Sequence, residues 1–156
     1  MNAQKYPFKR IGEKLKKLRM EPKELYGVIE DSVWYPNKRF LEETHEIMLR
    51  EYGGYTGYET GISLFEVILK KVKKMKGIYK KAAVLLRELT TSPRIYKDGN
   101  HRTALATTET FLNMNREKIW TENSQEIYKF IKGLLYYNIN EVAEWLKNGP
   151  QKRSPS

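Results

Sequence analysis

The residues best suited to chemistry stand together in one short stretch, Asp98-Gly99-Asn100-His101-Arg102. Asp-Gly-Asn is strong turn chemistry. The next residues have helical spacing, with Leu105, Thr108, Phe111 and Leu112 on one side. The turn therefore opens a helix, and Asn100 can cap it. The first N–H groups of a helix lack internal partners, and its dipole adds partial positive charge there. Gly99 lets a ligand approach the main chain, and the Arg102 guanidinium can fork onto phosphate oxygens. Such a turn can seat a phosphate. Asp98 would repel a bare phosphate, but not one reached through Mg2+. The same residues also describe a capped helix with a charged first turn, and residue types alone leave both open.

A second segment is rich in glycine and tyrosine: Tyr52-Gly53-Gly54-Tyr55-Thr56-Gly57-Tyr58-Glu59-Thr60-Gly61. Gly54, Tyr55, Thr56, Gly57 and Tyr58 at its centre suit a flap that lies along a target peptide or covers a pocket. Glycines satisfying tight turns between two helices fit equally well. The only histidines are His45 and His101, and there is no cysteine. Thiolate chemistry, disulfides and a His-rich metal site are thereby excluded. His45, on a face with Leu41 and Met48, reads as a packed structural histidine. No Walker-type loop or zinc signature is present.

The elements that must position these residues are helices. Apolar residues recur at helical spacing in six segments. They are Phe40, Leu41, Ile47 and Met48; Ile62, Phe65, Ile68, Leu69 and Val72; Ile78, Ala82, Leu85, Leu86 and Leu89; the segment after Gly99; Ile127, Phe130, Ile131, Leu134 and Leu135; and Ile139, Val142, Ala143 and Leu146. Asn37 suits the first cap, Asn138 or Asn140 the last, and Gly149-Pro150 the final stop. Only Ser32 to Tyr35, before Pro36, reads as extended. The expected class is all-α, a bundle of about six to eight helices with room for a small β-hairpin flap. Residues 1–32 form a basic N-terminal extension, 33–149 the helical domain and 150–156 a disordered tail. In the extension, Ile11, Leu15 and Leu18 suit a short amphipathic helix.

The 156 residues suit one domain, with 40% hydrophobic residues to build a core. A formal charge of +10 suits an anionic partner, whether nucleic acid, nucleotide or acidic protein, but a well-solvated lysine-rich surface explains it as well. The lysines between Lys70 and Lys81 suit the negative end of a helix dipole. No apolar run reaches the roughly 18 residues that span a bilayer, and no signal peptide opens the chain. The expectation is a cytoplasmic protein without a membrane partner.

The stretch Arg94-Ile95-Tyr96-Lys97-Asp98-Gly99-Asn100-His101-Arg102 resembles the core motif of the Fic/Doc (Fido) family, His-x-Phe-x-Asp/Asn-Ala/Gly-Asn-Gly/Lys-Arg. Lys81 to Leu86 resembles the helix before that motif. Thr103 to Ala106 and Phe111 to Asn115 resemble the helix after it. His45 with Tyr52-Gly53-Gly54 and Gly57, and Glu141 to Leu146, resemble the death-on-curing (Doc) branch. The likeness runs from about Val33 to Lys147. It implies an all-α fold and transfer of part of a nucleotide, usually AMP, onto a protein hydroxyl. Doc-type toxins instead phosphorylate a translation elongation factor. By that resemblance Asp98 would hold Mg2+, Gly99 and Asn100 would line an ATP phosphate pocket, and Arg102 would contact a phosphate. The partners would be a target protein and a cognate antitoxin, and the Tyr52–Gly61 loop would align the target.

One departure matters. The family's catalytic His falls on Arg94. A general base must lose its proton near the working pH. A guanidinium, with a pKa above about 12, does not. His101 stands where the family has Gly or Lys. Its imidazole has a suitable intrinsic pKa for a substitute base or an extra phosphate ligand. The expectation is thus a diverged transferase that holds a nucleotide and is inactive or altered. The alternative is a non-catalytic module that binds nucleic acid or protein through its basic surface.

Overall fold

The computed structural model describes residues 23–151. The amphipathic helix expected before Lys23 and the tail beyond residue 151 lie outside them. In chain order come α1 (Lys23–Tyr26), β1 (Gly27–Glu30), β2 (Val33–Pro36), α2 (Lys38–Tyr52), α3 (Leu64–Lys74), α4 (Ile78–Thr90), α5 (Asn100–Met114) and α6 (Ser124–Lys132). A 3-10 turn (Leu134–Tyr136) and α7 (Ile139–Asn148) complete the order. The fold is all-α with one small antiparallel hairpin. No described helix is long and apolar enough to cross a membrane.

The helix starts arise from local chemistry. The Asn37 side chain accepts the Phe40 N–H at 2.9 Å. Asn138 and Glu141 form a reciprocal capping box on α7. Gly149, at φ 82°, takes the left-handed backbone that ends α7, and its N–H donates to Trp145 C=O. Helix α4 lies at the centre, touching α3, α5 and α7. Phe65, Leu85, Leu86, Phe111 and Leu146 meet there in one apolar cluster.

Two sequence expectations change. The helical spacing makes Leu135 a core residue continuing α6. Gly133 ends that helix, however, and the tighter 3-10 winding turns Leu134 inward and Leu135 outward. The boundary at residue 32 falls inside the hairpin turn. Asp31 and Ser32 both have positive φ, 49° and 65°, the geometry of a two-residue hairpin turn. Gly27 to Glu30 therefore pair with Val33 to Pro36. Just before them, Tyr26 is buried in a second cluster with Trp34, Phe40, Ile47, Met48 and Ala106. The packed unit thus includes residues that the sequence pattern places in the extension.

Two polar side chains fasten these elements. Asn115, after α5, accepts the Trp34 N–H at 2.9 Å and donates to Trp34 C=O at 3.0 Å. This amide closes the outer edge of β2 as another strand would. Lys81 is not a surface member of the lysine run. It is buried, and its Nζ donates to Met75 C=O at 2.6 Å and Lys73 C=O at 3.1 Å. It thereby closes the C-terminus of α3 from within α4.

Candidate functional site

Helix α5 starts where Gly99 adopts φ 77°, ψ 11°, a left-handed conformation that suits glycine. Its ladder begins with Thr103 N–H donating to Gly99 C=O at 3.0 Å. The N–H groups of Asn100, His101 and Arg102 therefore lie outside the ladder. The residue type of Asn100 suits a helix cap. Instead Gly99 holds the cap position, and the Asn100 side chain turns into the preceding loop. Its Oδ1 accepts the Tyr96 N–H at 3.3 Å and its Nδ2 donates to Tyr96 C=O at 2.7 Å. A primary amide is the short side chain that satisfies both buried backbone groups of one residue.

Gly99 faces inward as well. Its N–H donates to Asp98 Oδ1 at 2.9 Å, and a Cβ there would stand 3.4–3.5 Å from Leu49 and His45. His45 is stacked on Tyr96, with ring centroids 3.5 Å apart, and its Nε2 lies 2.8 Å from the Asp98 carbonyl. A carbonyl only accepts, so Nε2 carries the proton. His45 is packed, as its sequence face suggests, and it also docks the motif loop.

The glycine-tyrosine loop lies against that motif. Tyr58 and Tyr96 form an antiparallel bridge, Lys97 N–H donates to Gly57 C=O and Glu59 N–H to Ile95 C=O. Glu42 of α2 joins the two segments, accepting from Tyr58 Oη at 2.7 Å and Tyr96 Oη at 2.8 Å. Burial, first, and this carboxylate push the Tyr96 hydroxyl well above its ordinary pKa. Tyr55 N–H donates to Asp98 Oδ2 at 3.0 Å, and a Cβ on Gly54 would come within 2.9 Å of the same oxygen.

Hydrogen bonds from the Tyr55 and Gly99 N–H groups, in that order, hold the Asp98 carboxyl below its usual range. A depressed folded pKa contributes stability above the unfolded value, lost as pH falls through the folded one. The Tyr55 and Gly99 amides are therefore expected to keep their exchange protection down to the ordinary aspartate range. They should lose it in more acidic solution, ahead of the core amides. Amide hydrogen exchange across a pH series reads this directly.

With each oxygen accepting a backbone N–H, the Asp98 carboxylate holds the loop. Among the described residues no three His, Asp or Glu side chains group as metal ligands. The residues present do not fit a resident Mg2+.

A cavity of about 240 Å³ opens beside the start of α5. Arg94, His101, Lys132, Thr90, Thr91 and Ser92 give its polar lining, and Ile131, Leu134 and Leu135 its apolar wall. No acidic residue lines it. Arg94 is held at its edge by Glu59. Nη2 donates to Glu59 Oε1 and the Arg94 N–H to Oε2, both at 3.1 Å. Desolvation, then the Arg94 charge, lower the His101 pKa and favour its neutral imidazole. Arg102 does not reach this cavity; its guanidinium sits 4.2 Å over the Tyr52 ring.

No protein-family model, curated protein or solved structure matches the chain.

The geometry thus divides the expected site in two. Arg94 and His101, seven positions apart in sequence, share one cavity. Asp98, Gly99 and Asn100 instead hold the adjoining loops, and Gly54 to Tyr58 lie along Tyr96 to Asp98. Glu42, Glu59 and Lys132 join the site without a sequence motif to mark them. Glu42 was legible in principle, three residues before His45 on the same face of α2. Nothing local marked Lys132, whose helix reaches the cavity only through the tertiary fold.

Proposed function

We propose that this chain is a Fic/Doc-like protein that binds a nucleotide through its phosphates at the start of α5. It is a diverged toxin-type AMP- or phospho-transferase toward a protein hydroxyl, with the base position filled by Arg94. The observation that carries this reading is the cavity shared by Arg94 and His101. It has cationic and hydroxyl groups, no carboxylate, and a helix N-terminus at its side. Arg94 binds phosphate oxygen rather than taking a proton from the acceptor hydroxyl. His101, whose surroundings favour the neutral imidazole, is the group able to accept one. The nucleotide brings its Mg2+ on its own phosphates and waters. The target protein and any antitoxin meet the site from the side of the Tyr55–Tyr58 loop.

Calorimetric titration with Mg2+-ATP, Mg2+-GTP and Mg2+-CTP tests the reading. At least one should bind wild type, and Arg94→Ala should weaken it about 10- to 100-fold, the loss of a charged hydrogen bond. An anion beside His101 favours its protonated form, so affinity should rise as pH falls below neutrality. Failure of all three nucleotides to bind wild type would overturn the reading. Transfer of labelled nucleotide to cell extract by Arg94→His, but not by wild type, would identify a lost base.

A further inference from the structure

We infer that the face built from α6 and the 3-10 turn after it binds single-stranded nucleic acid, with one backbone phosphate in the Arg94–His101–Lys132 cavity. Tyr136 is 90% exposed and Leu135 75%; Tyr128 and Tyr137 are about 40% exposed, Tyr137 leaning on Phe130. Large side chains so exposed on one short segment mark an interaction site. Cations lie among them along the chain. Lys129 and Lys132 are exposed in the last turn of α6, and Lys132 Nζ lies 5.0 Å over the Tyr128 ring. Residues 127–140 contain no Asp or Glu. Lys132 and Leu135 continue into the cavity, where they meet Arg94 and His101.

Rings interleaved with cations are the arrangement that holds a single strand, bases stacking on the rings while the backbone tracks the charges. The centre of a protein–protein interface is instead depleted of lysine. The cavity, about 240 Å³, is below the roughly 300–1,000 Å³ of whole small-ligand pockets. It suits one phosphate of a ligand that continues outside, over Leu135 and Tyr136. The net charge of +10 adds a long-range attraction for a polyanion. Strand binding would share its phosphate cavity with the nucleotide reading, but it needs the exposed face as well and no transfer chemistry.

Fluorescence anisotropy of the full chain with labelled 20-mer oligothymidylate and oligouridylate tests it. Binding is expected at low salt, weakening with rising salt at a log–log slope of about −0.7 for each phosphate contacted. Tyr136→Ser, at a position too exposed to affect folding, should weaken binding at least about fivefold through lost stacking. Lys132→Glu should weaken it and flatten the salt slope. The inference is overturned by no binding at low salt, by unchanged affinity in Tyr136→Ser, or by equal affinity for a duplex of the same length. Equal competition from polyglutamate would overturn it in favour of an acidic protein. A chain that binds ATP but no strand sinks strand binding alone, and one that binds a strand but no nucleotide sinks the nucleotide-transfer reading alone.

Discussion

Asn100→Ala is expected to lower the unfolding free energy by about 2–5 kcal/mol, read as a shift of the urea midpoint with an unchanged slope. The substitution strands two backbone groups at once, because Asn100 serves both the N–H and the C=O of buried Tyr96. An unsatisfied buried group costs about 1–3 kcal/mol. A charge-changing variant separates this account from simple loss of volume. Asn100→Asp keeps the acceptor for Tyr96 N–H but points a second oxygen at Tyr96 C=O. Burial and that carbonyl raise the folded pKa of the new carboxyl above its unfolded value. A raised pKa stabilises below the unfolded value and is lost as pH rises through the folded one. Asn100→Asp should therefore recover toward wild type between pH 7 and pH 4. A variant equally unstable at both would show that the paired bonds to Tyr96 are not what Asn100 contributes.

Lys81→Ala is the second large effect, expected to cost about 3–5 kcal/mol in the same urea experiment. The ammonium donates to two carbonyls at the end of α3, from a position only 8% exposed. Hydrogen bonds to charged groups are worth about 1.5–3 kcal/mol each, and the substitution removes both. Lys81→Met keeps the stem packed and loses only the donor, so it should fall between wild type and Lys81→Ala. Substitution at exposed Lys80 should change stability by less than about 0.5 kcal/mol. Equal effects at the two positions would mean that the buried ammonium is replaceable.

The long helices were legible because their apolar periodicity agrees with their caps: Asn37, Asn138 and Gly149 stand where the spacing of Phe40, Val142 and Leu146 requires. The misses share a cause. Strand β1, with only Gly27 buried, shows no alternation to read and becomes a strand by pairing with β2. Leu135 keeps the helical period of α6 in sequence, but Gly133 changes the winding before it. At the site, the turn at Gly99 and the proximity of Arg94 to the helix start were set by local chemistry. The inward turn of Asn100 was not, since a cap and a loop clamp use the same residue type. Lys81 resembles its neighbours along the chain, and only the end of α3 beneath it makes it different.

The amide of Asn115 covers one flank of the two-stranded sheet, so strand-by-strand growth from this domain has a direction. Among the described residues, edge pairing is left to Gly27 to Glu30, where Val28 and Ile29 face water. Fibrillar association would be one-sided, and a single lysine or proline at position 29 would serve as its gatekeeper.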